Sequence, residues 1–157
     1  MSKSLKRVIR TLTEAGCDIT PLELGPETRT AQQAADAAGC ALDQIAKSVI
    51  FAGQSSGEAI LFVTAGGNQV DADKASHLAG EPLGKADAAL IRAQTGFAIG
   101  GVAPIGHLNP IRGFFDSRLL DFDVIYAAAG TPRHIFPINS QLLQEISGCQ
   151  VSDFIVR

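Results

Sequence analysis

The sequence predicts an α+β protein built on one largely antiparallel sheet. Two short apolar runs, residues 47–52 and 59–64, flank the turn Gln54-Ser55-Ser56-Gly57 and read as a hairpin. The helical patterns between the strands are short, so strands do not alternate with long helices as a parallel βαβ chain requires. A chain of 157 residues, 46% hydrophobic and 18% charged, can bury one core of ordinary size without staples, and residues 1–157 are read as one domain.

In chain order, residues 2–15 have helical period. Leu5, Val8, Ile9, Leu12 and Ala15 fall on one side, with Lys3, Lys6, Arg7 and Arg10 on the other, and Gly16 ends the helix. The basic face is either plain solvated surface or a contact for a polyanion. Residues 19–24 are extended, with Pro21 marking an edge. Thr30 caps a helix through Ala38, closed by Gly39. A turn over 41–46 leads into the hairpin, and Ala65-Gly66-Gly67-Asn68 breaks its second strand. Helices are expected over 72–78 and 85–94, then an apolar strand Phe97-Ala98-Ile99. Phe114-Phe115 precede a turn near Ser117-Arg118, a strand over 123–129 and the break Gly130-Thr131-Pro132. Residues 134–138 are extended, Asn139 caps a helix through Ile146, and residues 150–156 form a last strand.

Several function classes are set aside. No apolar run is long enough to span a bilayer, and the charged N-terminus has no apolar leader core, so a cytoplasmic protein is expected. Cys17, Cys40 and Cys149, like His77, His107 and His134, are scattered without ligand spacing, so no metal site and no cofactor are expected. A net charge of −3 and no helix-turn-helix pattern speak against specific DNA binding. Serine-hydrolase, zincin, Walker and dinucleotide signatures are absent.

What remains is a set of glycine-bearing strand ends and one lysine where a strand begins. Lys47 follows Ile45-Ala46 and precedes Val49-Ile50-Phe51. It either snorkels to solvent or offers a cation to a phosphate or carbonyl at the mouth of the sheet. Gly100 and Gly101 leave backbone N–H groups free to approach a carbonyl or ribose oxygen, and Pro104 stiffens the same loop. His134 is the nearby imidazole able to orient water or to wall the pocket.

Four segments in one order, AKSVIFAG (46–53), VTAGGNQVD (63–71), TGFAIGGVAPIGH (95–107) and AAAGTPRHIF (127–136), resemble the YbaK/ProX family over about residues 20–150. These are free-standing trans-editing aminoacyl-tRNA deacylases related to the editing insertion of bacterial prolyl-tRNA synthetase. The resemblance implies a single curved, mixed but largely antiparallel sheet with flanking helices, holding the aminoacylated 3′-terminal adenosine of a tRNA. It implies hydrolysis of the ester between a mischarged amino acid and that ribose. Lys47 matches the family's functional lysine, engaging the terminal nucleotide's phosphate region. The GxxxP loop maps to Gly100, Gly101, Val102, Ala103 and Pro104 and lines the acyl site, with Gly100 and Gly101 beside the reacting ester. Gly130, Thr131, Pro132 and His134 form the far wall, and Ser48 falls where subgroups of the family differ. The expected substrate is a small amino acid, alanine or cysteine first, on tRNA for proline, with prolyl-tRNA synthetase as a candidate partner. The alternative is a non-catalytic module that binds aminoacyl-tRNA or a synthetase.

Overall fold

The computed structural model describes residues 2–26 and 28–157. Helix α1 (Lys3–Glu14) begins where the Ser2 hydroxyl accepts the Leu5 N–H at 3.0 Å. It buries Leu5, Val8 and Leu12, each contributing about 1.5–3 kcal/mol relative to exposure. β1 (Leu22–Glu23) follows, then α2 (Ala31–Ala38), started by a Thr30–Gln33 capping box and stopped by left-handed Gly39. β2 (Ile45–Gly53) and β3 (Ala59–Ala65) form the expected hairpin. α3 (Ala72–Ala79) is capped by Asp71, and β4 (Leu83–Lys85) returns to β2. α4 (Ala88–Thr95), β5 (Arg112–Asp116), β6 (Val124–Ala128), β7 (His134–Asn139), α5 (Ser140–Ser147) and β8 (Gln150–Ser152) complete the chain.

The strands form one eight-stranded sheet in the order β1-β7-β6-β2-β3-β5-β8, with β4 pairing to β2 outside this path. The hairpin pairs β2·β3 and β6·β7 are antiparallel, as are β1·β7 and β2·β4. The sheet is mixed because β2·β6, β3·β5 and β5·β8 are parallel. One face packs on α1, α4 and α5 through Leu12, Ile91 and Leu143. On the other face two separate apolar clusters form, one around α3 with Phe62, Phe114 and Phe154, the other around α2 with Leu24, Ile45 and Ile135.

Three expectations for local structure need correcting. Phe97-Ala98-Ile99 is not a strand. Left-handed Gly96 ends α4, and the chain then runs irregularly with Phe97 fully buried. The strand-like triplet reflected burial of the ring rather than pairing. The helix expected from Lys85 starts at Ala88, because Leu83–Lys85 pairs with the end of β2 and the Asp87 side chain caps the Leu90 N–H. The last strand stops at Ser152, and Ile155 instead makes a lone bridge to Val70.

Candidate active site

The site arises from an interruption in strand pairing. One edge of β2 is paired with β3 from Ala46 to Ala52. Its other edge meets β6 only at Ile45 and Ala46, and β4 only from Phe51 to Gly53. Residues 47–50 have no strand beside them there. Beyond Ala127 the β6 chain leaves β2 and turns at Gly130, whose φ is +91°. A Cβ at Gly130 would stand 2.8 Å from the Ser4 carbonyl oxygen, so the chain reaches this bend only without a side chain.

The gap opens into a cavity of about 450 Å³. Lys47 and Ser48 of β2, Gly100 and Val102 of the irregular loop, and Thr131, Pro132 and His134 of the β6–β7 turn all line it. Seven of the residues expected from sequence thus meet around one space. Gly101, Ala103, Pro104 and Gly130, also expected at the site, do not line it. Gly101 has an ordinary negative φ, and a Cβ there would lie 2.6 Å from the Thr131 carbonyl carbon, so the two loops touch backbone to backbone. Ala103 is buried, and its carbonyl accepts the His107 Nε2–H at 2.7 Å. Burial pushes the His107 pKa below its ordinary value, the bond to Ala103 opposes this, and Arg7 adds to the lowering. Pro104 lines a separate opening near Thr11 and Ile146.

Lys47 does not reach for solvent. Alternation along β2 puts it on the face of Ile45 and Val49, between the α2 and α3 clusters. Its ammonium donates to the Asn68 carbonyl at 2.8 Å. Burial lowers its pKa, while the charges of Asp43 and Asp116 hold it up. Neighbouring Ser48 faces the other way, with its hydroxyl oxygen buried and without a hydrogen-bond partner among the described residues. His134 Nδ1 lies 2.6 Å from the Thr131 hydroxyl, which also accepts the Arg133 N–H at 3.2 Å.

The basic face of α1 divides. Lys3, Lys6 and Arg10 are exposed, but Arg7 turns inward. Its guanidinium donates to the Gly106 carbonyl at 2.7 Å and the Thr95 carbonyl at 3.3 Å, and stacks 4.6 Å from the Phe97 ring centroid. Arg7 therefore secures the loop behind the cavity. Sequence reasoning missed Thr28, Arg29 and Tyr126, which also line the cavity. Arg29 precedes a helix cap in no motif, and Tyr126 looked like any strand aromatic. No carboxylate lines the cavity among the described residues, and no group of three or more His, Cys, Asp or Glu is placed there to hold a metal.

The cleft in the broken sheet edge thus carries Lys47 and Arg29 and, among the described residues, no carboxylate, and two touching glycine loops wall it. The model of the aminoacyl-tRNA editing domain matches residues 25–146, and the chain belongs to that family. It is a hydrolase that acts on aminoacyl-tRNA. Among relatives, the uncharacterized protein YwhH of Bacillus subtilis strain 168 is 30% identical over 148 residues, covering 94% of each chain. A crystal structure described as a candidate trans-editing enzyme for prolyl tRNA synthetase superposes with a TM-score of 0.92 at 40% identity, over 100% of this chain and 99% of that one. The crystal structure of the hypothetical protein APE2540 gives 0.85 at 25% identity, over 96% and 99%. No described helix is long and apolar enough to cross a membrane.

Proposed function

We propose that the cleft beside residues 47–50 of β2 is where the ester is cleaved, and that the amino acid removed is small, alanine or cysteine first, from tRNA for proline. The observation that carries this reading is the composition of the lining. Lys47 and Arg29 supply positive charge, no carboxylate among the described residues opposes it, and the rest of the lining is mostly neutral, with Ala46, Gly100, Val102 and Ala128 small beside the larger Ile45, Tyr126 and Ile135. Phosphate and ribose oxygens suit the charges, and a short acyl group suits the neutral lining. The likeness to a protein described as acting for prolyl tRNA synthetase supports the choice of tRNA and makes that synthetase the partner to test.

Hydrolysis of an aminoacyl ester starts from an activated carbonyl, so a positioned water and a stabilised oxyanion suffice. Lys47 holds the nucleotide end through the donors that Asn68 does not use. The Gly101 N–H is taken by the Ala98 carbonyl at 3.1 Å, so the donors this loop offers the developing oxyanion are those of Gly100 and Val102, which line the cavity, with its rear fixed by Arg7 and His107. In this reading the Thr131 hydroxyl, which accepts from Arg133, gives its own proton to His134 Nδ1, and the ring proton sits on Nε2. His134 then acts as a donor in the wall rather than as a base, and the vicinal ribose hydroxyl assists the water. A deacylation screen over a panel of mischarged tRNAs tests the reading. Hydrolysis of alanyl- or cysteinyl-tRNA for proline is expected. Turnover confined to other acyl groups would overturn the specificity, and binding without any turnover would favour a non-catalytic module.

A further inference from the structure

We propose that the turn Ala65–Asn68 is a positioning device for the Lys47 ammonium, with Asn68 and Asp116 as its positioning residues. The inference rests on the reading of Lys47 as the cation of the site. The Lys47 ammonium is aimed by the Asn68 carbonyl, and that carbonyl is in turn held by its own side chain. Asn68 Nδ2 donates to Asp116 Oδ2 at 2.9 Å, and the Ala65 N–H donates to the same oxygen at 3.0 Å. Asp116 Oδ1 accepts the Arg118 N–H at 2.9 Å. From the opposite side Asp43 Oδ1 accepts the Gly67 N–H at 2.8 Å, while its other oxygen meets Arg118 Nε at 3.0 Å.

Two carboxylates therefore grip a four-residue turn whose exposed product is one carbonyl. The turn's glycines answer to two neighbours, Gly66 to the Leu42 backbone and Gly67 to the Asp43 carboxylate. A Cβ at Gly66 would stand 2.2 Å from the Leu42 carbonyl oxygen, and one at Gly67 would stand 2.5 Å from Asp43 Oδ1. A plain reversal of the chain would need neither approach. Asp116 is 1% exposed and forms no ion pair among the described residues. A buried carboxylate of that kind is costly unless a positive charge lies near. Lys47, across the turn, is the half-buried cation whose charged state it favours. The groups that bear on Lys47 are Asp43 and Asp116 directly, Arg118 through Asp43, and Arg29 and His134 around the cavity.

The sign follows. Removing the Asp116 charge withdraws support from the ammonium, so Lys47 should lose its proton at lower pH. Activity that needs a charged Lys47 should then fall away earlier as pH rises. The test has two readouts on wild type, Asn68→Ala and Asp116→Asn. The first is the Lys47 titration midpoint by NMR in the protein without tRNA, with Lys47→Arg to assign the signal. Both variants are expected to lower it, and Asn68→Ala still decides the matter should Asp116→Asn fail to fold. A midpoint unmoved in the variants that fold overturns the proposal. The second is single-turnover deacylation, where Asn68→Ala is expected to cost about tenfold in wild type and nothing further in a Lys47→Ala background. The same factor in both backgrounds would mean that the turn merely braces the fold. Because the titration uses no substrate, its failure is distinct from failure of the deacylase reading, which an active Lys47→Ala protein would sink.

Discussion

Two glycine pairs interrupt the chain, Gly66-Gly67 and Gly100-Gly101, and the sequence alone gives them the same appearance. Their environments differ in kind. The first turn is held by charge, with Asp116 and Asp43 bonding its N–H groups and the Asn68 amide. The second loop is held by packing, with Phe97, Val102, Ala103 and Ile105 buried and with Arg7 and His107 bonded to its rear carbonyls. One device orients a cation and the other fixes a surface. Substitutions in the first should change how the site responds to pH, and substitutions in the second should change its shape and the stability of the fold.

Gly101→Ala should break the packed side most severely. Its methyl group would meet the Thr131 backbone at 2.6 Å, and backbone cannot swing aside as a side chain tip can. Deacylation should fall by more than about a hundredfold and stability by about 1–3 kcal/mol, measured by single-turnover rates and thermal melts. A stable, active variant would mean that the two loops need not touch. Arg7→Ala should follow, losing two hydrogen bonds and the stack on Phe97, for about 1–3 kcal/mol of stability. The triple change of Lys3, Lys6 and Arg10 to Gln should instead leave the melt within about 0.5 kcal/mol and flatten the salt dependence of tRNA binding. An unchanged salt slope would return those three to plain solvated surface. The smallest effect is expected at Ser48. Its buried hydroxyl has no partner among the described residues, so Ser48→Ala should be neutral or slightly stabilising in the free protein. A loss of more than about 1 kcal/mol would mean the hydroxyl is satisfied after all.

The hairpin of β2 and β3 and the caps Thr30 and Asn139 were legible because each depends on neighbours in sequence. The parallel pairs were not. β3·β5 joins Ile60 to Arg112, and no local pattern reports a partner so distant. The same limit applied at the site. Lys47 and the glycine loops stand out as residue types, and their motifs place them in one cavity. The partner of Lys47 stays hidden, because Asn68 reads as the end of a broken strand and Asp116 as the residue before a turn. Their bond spans 48 positions. Arg7 misled in the opposite sense, since helical period put it with three exposed cations while the loop behind the cavity drew it in.

The central claim is that the gap in the β2 edge is a deacylation site centred on the charge of Lys47. Its most direct test is the single-turnover rate of Lys47→Ala against wild type on alanyl-tRNA for proline, with a thermal melt of each protein. A lost charge-assisted hydrogen bond is worth roughly 1.5–3 kcal/mol, so the variant should hydrolyse the ester about one to two decades more slowly. Its melt should fall, because Lys47 also offsets the buried Asp116 charge, but the variant should still be folded at the assay temperature. A folded Lys47→Ala protein that clears the same tRNA at the wild-type rate would contradict the account.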